Sequence, residues 1–253
     1  MGLVQGLTEF LPVSSSGHLV LAQSLIADFD QPGVLFDTLL HAATLLAVLV
    51  YFRRDVVELL GCLTPGGDPG KRRVVGLLLL ATVPTGLIGV LFKDPLEALF
   101  HAPRAAAAML LVTGAVLWVS GLGARPRLAL AEIGVPRSLA VGLVQGMAIV
   151  PGISRSGSTI ATATLLGVRG EDAARFSFLL SIPAICGAVV LQLGELSGLP
   201  EGAAIPYLLG AVAAFASGLW AIRFLMQVIR RGRFRWFAVY CWALGGAYLL
   251  FAS

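Results

Sequence analysis

Apolar residues run through this chain in long blocks. Six of them, near 35–52, 74–92, 105–122, 175–193, 205–224 and 236–252, have the length of a membrane-crossing helix. Each block is bounded by charge or by Gly and Pro. Two other stretches, 1–27 and 139–168, break the pattern. Each is a pair of short apolar runs split by a Ser/Gly/Pro loop, and neither run is long enough to span. Non-helical backbone at membrane depth persists only where protein or a water-filled cavity satisfies it. Both stretches therefore predict re-entrant helical hairpins whose polar tips face a cavity.

The two tips are copies of one another. Residues 4–18 read VQGLTEFLPVSSSGH and residues 144–158 read VQGMAIVPGISRSGS. Without a gap they match at Val4/Val144, Gln5/Gln145, Gly6/Gly146, Ser14/Ser154, Ser16/Ser156 and Gly17/Gly157. The same offset of 140 residues carries Phe36, Leu39 and Leu40 onto Phe176, Leu179 and Leu180. Three predicted crossings separate the copies, and an odd number turns the second upside down. The expected fold class is an all-α integral membrane protein, a polytopic helical bundle of two inverted-topology repeats. Each repeat holds a re-entrant helical hairpin plus three transmembrane helices, within a single membrane domain over 1–253. Repeat one covers about 1–122 and repeat two about 139–253.

Composition supports this reading and narrows it. The chain is 57% hydrophobic and only 13% charged, far from a soluble domain; its mean hydropathy is +0.89. The net charge of +4 provides no nucleic-acid surface, because the basic residues cluster at predicted membrane edges. Arg53, Arg54, Lys71, Arg72 and Arg73 fall in 53–73, Arg125, Arg127 and Arg137 in 123–138, and Arg230, Arg231, Arg233 and Arg235 before the last span. These loops are expected to be cytoplasmic. The loops 28–34, with Asp28 and Asp30, and 194–204, with Glu195 and Glu201, are expected to be external. Cys62, Cys186 and Cys241 are scattered and read as small buried apolar residues, without a disulfide or zinc pattern. No cleavable signal peptide is evident.

The copies differ where chemistry would lie. The first has Glu9 and His18; the second has Ile149 and Ser158 there, and gains Arg155. An intramembrane carboxylate is costly and marks Glu9 as a functional candidate. Gln5 lies one helical turn before it on the same face, where the pair can accept a metal or orient water. Ser14, Ser15 and Ser16 read either as a helix cap or turn, or as a source of a nucleophile activated by a neighbouring base. His18 reads as a satisfied polar side chain or as an acid/base group. His41 and Asp37, one turn apart, either line the same cavity or are interfacial. Arg155 needs an anion, and its planar fork matches phosphate oxygens; the competing partner is Glu9, in an internal ion pair. Gly152, Gly157, Ser154, Ser156 and Thr159 add N–H groups and hydroxyls at a helix start, an anion-binding arrangement. Asp94, Glu97, Glu171 and Asp172 read as solvated loop charges.

With QGLTEFLPVSSSGH at 5–18 and PGISRSGST at 151–159, supported by Phe36-Asp37, His41 and Arg53-Arg54, the chain resembles the undecaprenyl-diphosphate phosphatase family, also called bacitracin-resistance proteins. The resemblance runs over nearly the whole chain. It implies removal of the terminal phosphate from a C55 polyprenyl diphosphate at the external face of a bacterial inner membrane. The product re-enters the carrier cycle for peptidoglycan, and bacitracin resistance follows from the same activity. It also implies Mg²⁺ or Ca²⁺, held by Glu9 and Gln5. Glu9, Ser14, Ser15, His18 and Arg155 become the catalytic candidates, and Ser154, Arg155, Ser156, Gly157 and Thr159 the phosphate-binding ones. Gln5 stands where many relatives have Glu, so one negative charge available to a metal is missing. Relatives are also expected to carry roughly another helical half before the first motif, which here leaves a first arm about eleven residues or 16 Å long.

The expected mechanism puts the lipid tail in an apolar groove and the diphosphate where the tips meet. Arg155 clamps the phosphates, Ser15 is the first candidate nucleophile, with Ser14 or direct water attack as alternatives, and His18 shuttles the proton. The expected partners are the polyprenyl diphosphate lipid and the bilayer, with a homodimer as a possible assembly. Inverted repeats also suit a rival reading, a polyprenyl-phosphate flippase or other transporter.

Overall fold

The structure is a computed structural model, and it describes residues 1–25, 34–122, 128–192 and 202–252. The charges expected at external or cytoplasmic loops through Asp28, Asp30, Arg125, Arg127, Glu195 and Glu201 lie outside the described residues.

The chain opens with two short helices, α1 (Gly2–Phe10) and α2 (Ser15–Leu25). Next, α3 (Val34–Tyr51) leads into α4 (Arg53–Gly61) through a bend of 79°. α5 (Pro69–Leu91), a short α6 (Lys93–Phe100) and α7 (Pro103–Ser120) follow. After a 3₁₀ turn at Leu130–Glu132 comes a second short pair, α8 (Val135–Met147) and α9 (Arg155–Leu165). α10 (Gly170–Gln192), α11 (Ala204–Arg230), a 3₁₀ turn at Phe234–Trp236 and α12 (Phe237–Phe251) complete the described chain. Among the described residues the only extended pairing is an isolated bridge between Leu128 and Val168. The protein is all-α, with five helices long and apolar enough to cross a membrane, or six with the bent pair counted as one.

The helix starts follow their sequence. Asp68 caps α5 by accepting from the Gly70 and Lys71 amides at 2.7 and 3.4 Å, with Pro69 at the first helical position. Pro103 opens α7 in the same way. Outward faces of the long helices carry Leu79, Leu87, Leu208 and Val212, each more than half exposed. That is the inside-out surface a bilayer stabilises. The largest core cluster stacks Phe10, Phe52 and Phe178, with Phe178 5.8 Å from Phe10 and 5.6 Å from Phe52 between ring centres.

Residues 1–25 and 139–168 form pairs of short helices around a non-helical tip, and the two helices of each pair pack together. Their packing on the long helices is reciprocal. α1 lies on α11, and α8 lies on α5. Gly2 and Gly6 place bare backbone against Gly210 and Ala214–Ser217, so a Cβ at either would overlap α11. Gly142 and Gly146 do the same against Ala81 and Thr85–Ile88 of α5. Each short arm thus carries a Gly-x-x-x-Gly face, the arrangement that lets two helices approach closely within a membrane.

Three expectations change. Residues 53–73 are not simply a loop: Arg53 and Arg54 open α4, and Asp55 in that helix pairs with Arg175 of α10. Asp94 and Glu97 sit in α6, while Glu171 and Asp172 occupy the first turn of α10. There they complement the helix dipole and pair with Arg230 and Arg169, at 2.9 and 2.8 Å. Cys62 and Cys241 are buried as expected, but Cys186 is exposed on the outer face of α10.

Candidate active site

Pro12 stops α1, because the residue before a proline is driven out of the helical region; Leu11 is accordingly extended. Ser14 then adopts a left-handed backbone, φ +68°, at a cost of roughly 1–2 kcal/mol for a residue with a Cβ. The strain is matched by what Ser14 does. Its Oγ accepts from the Gly17 amide at 3.2 Å and from the Gly152 amide at 3.1 Å. One hydroxyl therefore holds the start of α2 and ties the first tip to the second. Gly152 itself has φ +93°, and a Cβ there would overlap the Ala106 carbonyl. Gly17 faces it so closely that a Cβ would lie 2.9 Å from Gly152 Cα. The two tips meet through glycine backbone.

Thr113, midway along α7, fixes the second tip from below. Its Oγ1 donates to the Gly152 carbonyl at 2.8 Å and accepts from the Ser154 amide at 3.0 Å. Ser154 caps α9 by accepting from Gly157 N at 3.1 Å. α9 consequently begins at Arg155 and aims this side chain across the junction at Glu9.

Glu9 is the hub. It is 8% exposed and takes three side-chain partners. Gln5 Nε2 donates to Oε2 at 3.1 Å, Ser15 Oγ donates to the same oxygen at 2.6 Å, and the Arg155 guanidinium pairs with Oε1. His41 lies near enough to interact with this carboxylate electrostatically, while its Nδ1 donates to the Asp37 carbonyl at 2.8 Å. A lone buried carboxylate would be prohibitive; a guanidinium and two neutral donors offset its desolvation.

The remaining candidates divide. His18 Nδ1 donates to the Ser14 carbonyl at 2.8 Å, and Nε2 is 2.7 Å from the Tyr240 hydroxyl. Neither nitrogen engages Ser15, so the group that accepts the Ser15 hydrogen bond in this structure is Glu9. Ser156 Oγ donates to the Leu11 carbonyl at 3.2 Å. Thr159 Oγ1 donates to the Arg155 carbonyl at 2.7 Å and lies 2.6 Å from Ser177 Oγ. Along with the capping Ser154, these hydroxyls build the second tip; the group that reaches across the junction is the Arg155 guanidinium. Gly157 packs against Pro12 and Ser154. Arg155 is thus in the ion pair with Glu9, and its fork keeps further N–H donors beyond that pair.

Gln5 Oε1 is buried without a hydrogen-bond partner, and so is Gln145 Oε1 at the matching place of the other arm. Among the described residues no three His, Cys, Asp or Glu side chains cluster as a closed metal site. Glu9 and Gln5 Oε1 still fit a hard cation of the Mg²⁺ or Ca²⁺ kind. Such ions accept one or two protein oxygens when phosphate oxygens and water complete the shell. A groove of about 860 Å³ opens beside the first tip, walled by Leu7, Leu11, Phe224, Val228 and Phe237, with Tyr240 also lining it.

Sequence reading overlooked Thr113 and Tyr240. Thr113 is a hydroxyl in an apolar span, a signal that was there to be used. Tyr240 carries no local signal, since it lies 222 residues from the histidine it meets.

Comparison with known proteins shows the family. The family model described as bacitracin resistance protein BacA matches residues 1–247. The chain is 50% identical to the undecaprenyl-diphosphatase of Syntrophotalea carbinolica, over 100% of this chain and 97% of that relative. It is 42% identical to the undecaprenyl-diphosphatase of Desulfatibacillum aliphaticivorans, over 99% and 96% of the two chains. A third protein of that name, from Salinibacter ruber, is 42% identical over 97% and 95%.

Proposed function

The chain belongs to the bacitracin resistance protein BacA family, and we infer that it is a membrane undecaprenyl-diphosphate phosphatase. It converts the C55 diphosphate and water into undecaprenyl phosphate and inorganic phosphate. The observation that carries this reading is the meeting of Ser15, Glu9 and Arg155 at the tips: an activated hydroxyl, its acceptor and a phosphate-matching cation in one buried junction.

Ser15 Oγ attacks the terminal phosphorus while its proton passes to Glu9 Oε2. The bond from that phosphorus to the bridging oxygen breaks, and the lipid monophosphate leaves with the proton that Glu9 returns. Water, giving up a proton toward His18, then hydrolyses the phosphoserine, and that proton returns to Ser15 as inorganic phosphate is released. Arg155 directs its remaining N–H donors at the phosphate oxygens, joined by the Arg155 and Ser156 amides at the start of α9. Glu9 and Gln5 Oε1 would hold Mg²⁺ or Ca²⁺, which supplies charge neutralisation to the diphosphate. The apolar groove beside Leu11 takes the near end of the prenyl chain.

We propose that the site works toward the external face of a bacterial inner membrane, as the resemblance to the family implies. Lys and Arg concentrate at the ends of α4 and α5 and between α11 and α12, the ends expected in the cytoplasm. The reading is tested by phosphate release from C55 diphosphate with purified protein, wild type beside Glu9→Gln. Release lost in the variant supports it. Movement of lipid between leaflets without any release would replace it with the transport reading.

A further inference from the structure

Carbonyl oxygens only accept hydrogen bonds, so the contact of His18 Nδ1 with the Ser14 carbonyl at 2.8 Å puts the imidazole proton on Nδ1. In the neutral ring Nε2 is then the basic nitrogen, and the Tyr240 hydroxyl donates to it at 2.7 Å. The two rings are parallel within 1°, with centroids 5.6 Å apart, so the phenol packs on the imidazole as well as bonding to it. Tyr240 belongs to α12, and the neighbouring Cys241 packs against the Pro12 carbonyl at 3.6 Å. The last helix is thereby seated on the first tip, which fixes the phenol in position.

From this geometry we propose that Tyr240 is the positioning residue for His18. It holds the imidazole as the Nδ1–H tautomer, so that a proton taken up by His18 enters at Nε2 by way of the phenol hydroxyl; this rests on the phosphatase reading above. A phenol is suited to the task because it both donates and accepts. It donates to Nε2 of the neutral ring and, after rotation about its C–O bond, accepts from Nε2–H of the imidazolium. The ring keeps its place through both protonation states, as orienting partners do for catalytic histidines elsewhere. Tyr240 also lines the apolar groove, so its hydroxyl stands between His18 and the path proposed for the prenyl chain.

The test is a double-mutant cycle joined to a spectroscopic readout. Tyr240→Phe keeps the ring and removes the hydroxyl; its kcat for phosphate release should fall about tenfold or more, with KM nearly unchanged. In a His18→Ala background the same change should cost less than about twofold, because partners acting as a unit are non-additive. The chain has three histidines, so ¹⁵N-histidine NMR can follow His18 through the signal that His18→Ala removes. That signal should show the Nδ1–H tautomer in the wild type, and its Nε2 resonance should move in Tyr240→Phe. An unchanged kcat, an equal loss in both backgrounds, or an unmoved Nε2 resonance would overturn the proposal. Absence of phosphate release from the wild type would instead overturn the phosphatase reading, leaving the NMR result to judge Tyr240 by itself.

Discussion

Glu9 and Arg155 form an ion pair across 146 residues of chain, joining the tips of two hairpins that also meet at Ser14–Gly152, Gly17–Gly152 and Ser156–Leu11. Their side chains are 7% and 19% exposed. The pair holds the Arg155 charge next to a carboxylate, so a diphosphate entering the junction would exchange one anion for another.

Arg155→Ala is expected to lower phosphate release about 100-fold or more. It also leaves Glu9 buried and unpaired, a loss of about 3–5 kcal/mol in comparable pairs. Arg155→Lys should recover stability in detergent melting better than it recovers kcat, since an ammonium lacks the bidentate fork. Near-full activity of the alanine variant at saturating substrate would refute the clamp.

Ser14 and Ser15 should separate cleanly. Ser15→Ala removes the hydroxyl bonded to Glu9 and should abolish turnover with little change in melting. Ser14→Ala leaves the buried Gly17 and Gly152 amides without their acceptor, and should destabilise by about 1–3 kcal/mol. Incorporation of phosphate onto Ser15 in a slowed variant would identify the nucleophile directly; trapping on Ser14 would reverse the assignment.

The reciprocal glycine faces predict equal sensitivity on both arms. Gly6→Val and Gly146→Val should each push a short helix off its long neighbour and reduce the yield of folded protein. Gly76→Ala is the control: no atom lies within 4 Å of a Cβ there, so melting and activity should be retained. Tolerance of Gly146→Val would show that the second arm does not depend on close approach.

Gln5→Glu adds a carboxylate beside Glu9. Mg²⁺ should then raise the melting temperature at lower concentration than in the wild type, because ligand bound only to the folded state stabilises by mass action. EDTA should remove both that shift and the activity. If neither protein responds to Mg²⁺ or Ca²⁺, Glu9 and Gln5 act without a metal.

By itself the sequence determined the membrane class, the long helices and the two broken hairpins, because apolar length and its interruption are local quantities. It also singled out the candidates Glu9, His18 and Arg155, since a carboxylate, a histidine and an arginine stand out at membrane depth. Gln5 and Glu9 were legible as one face because a helix fixes that spacing. What only the tertiary structure decided is who partners whom. Ser15 bonds Glu9 rather than His18, and His18 turns to Tyr240 on the last helix. Ser154, Ser156 and Thr159 spend their hydroxyls building the second tip. Those choices depend on where α7 and α12 lie against the hairpins, and no local pattern encodes contacts between helices more than a hundred residues apart.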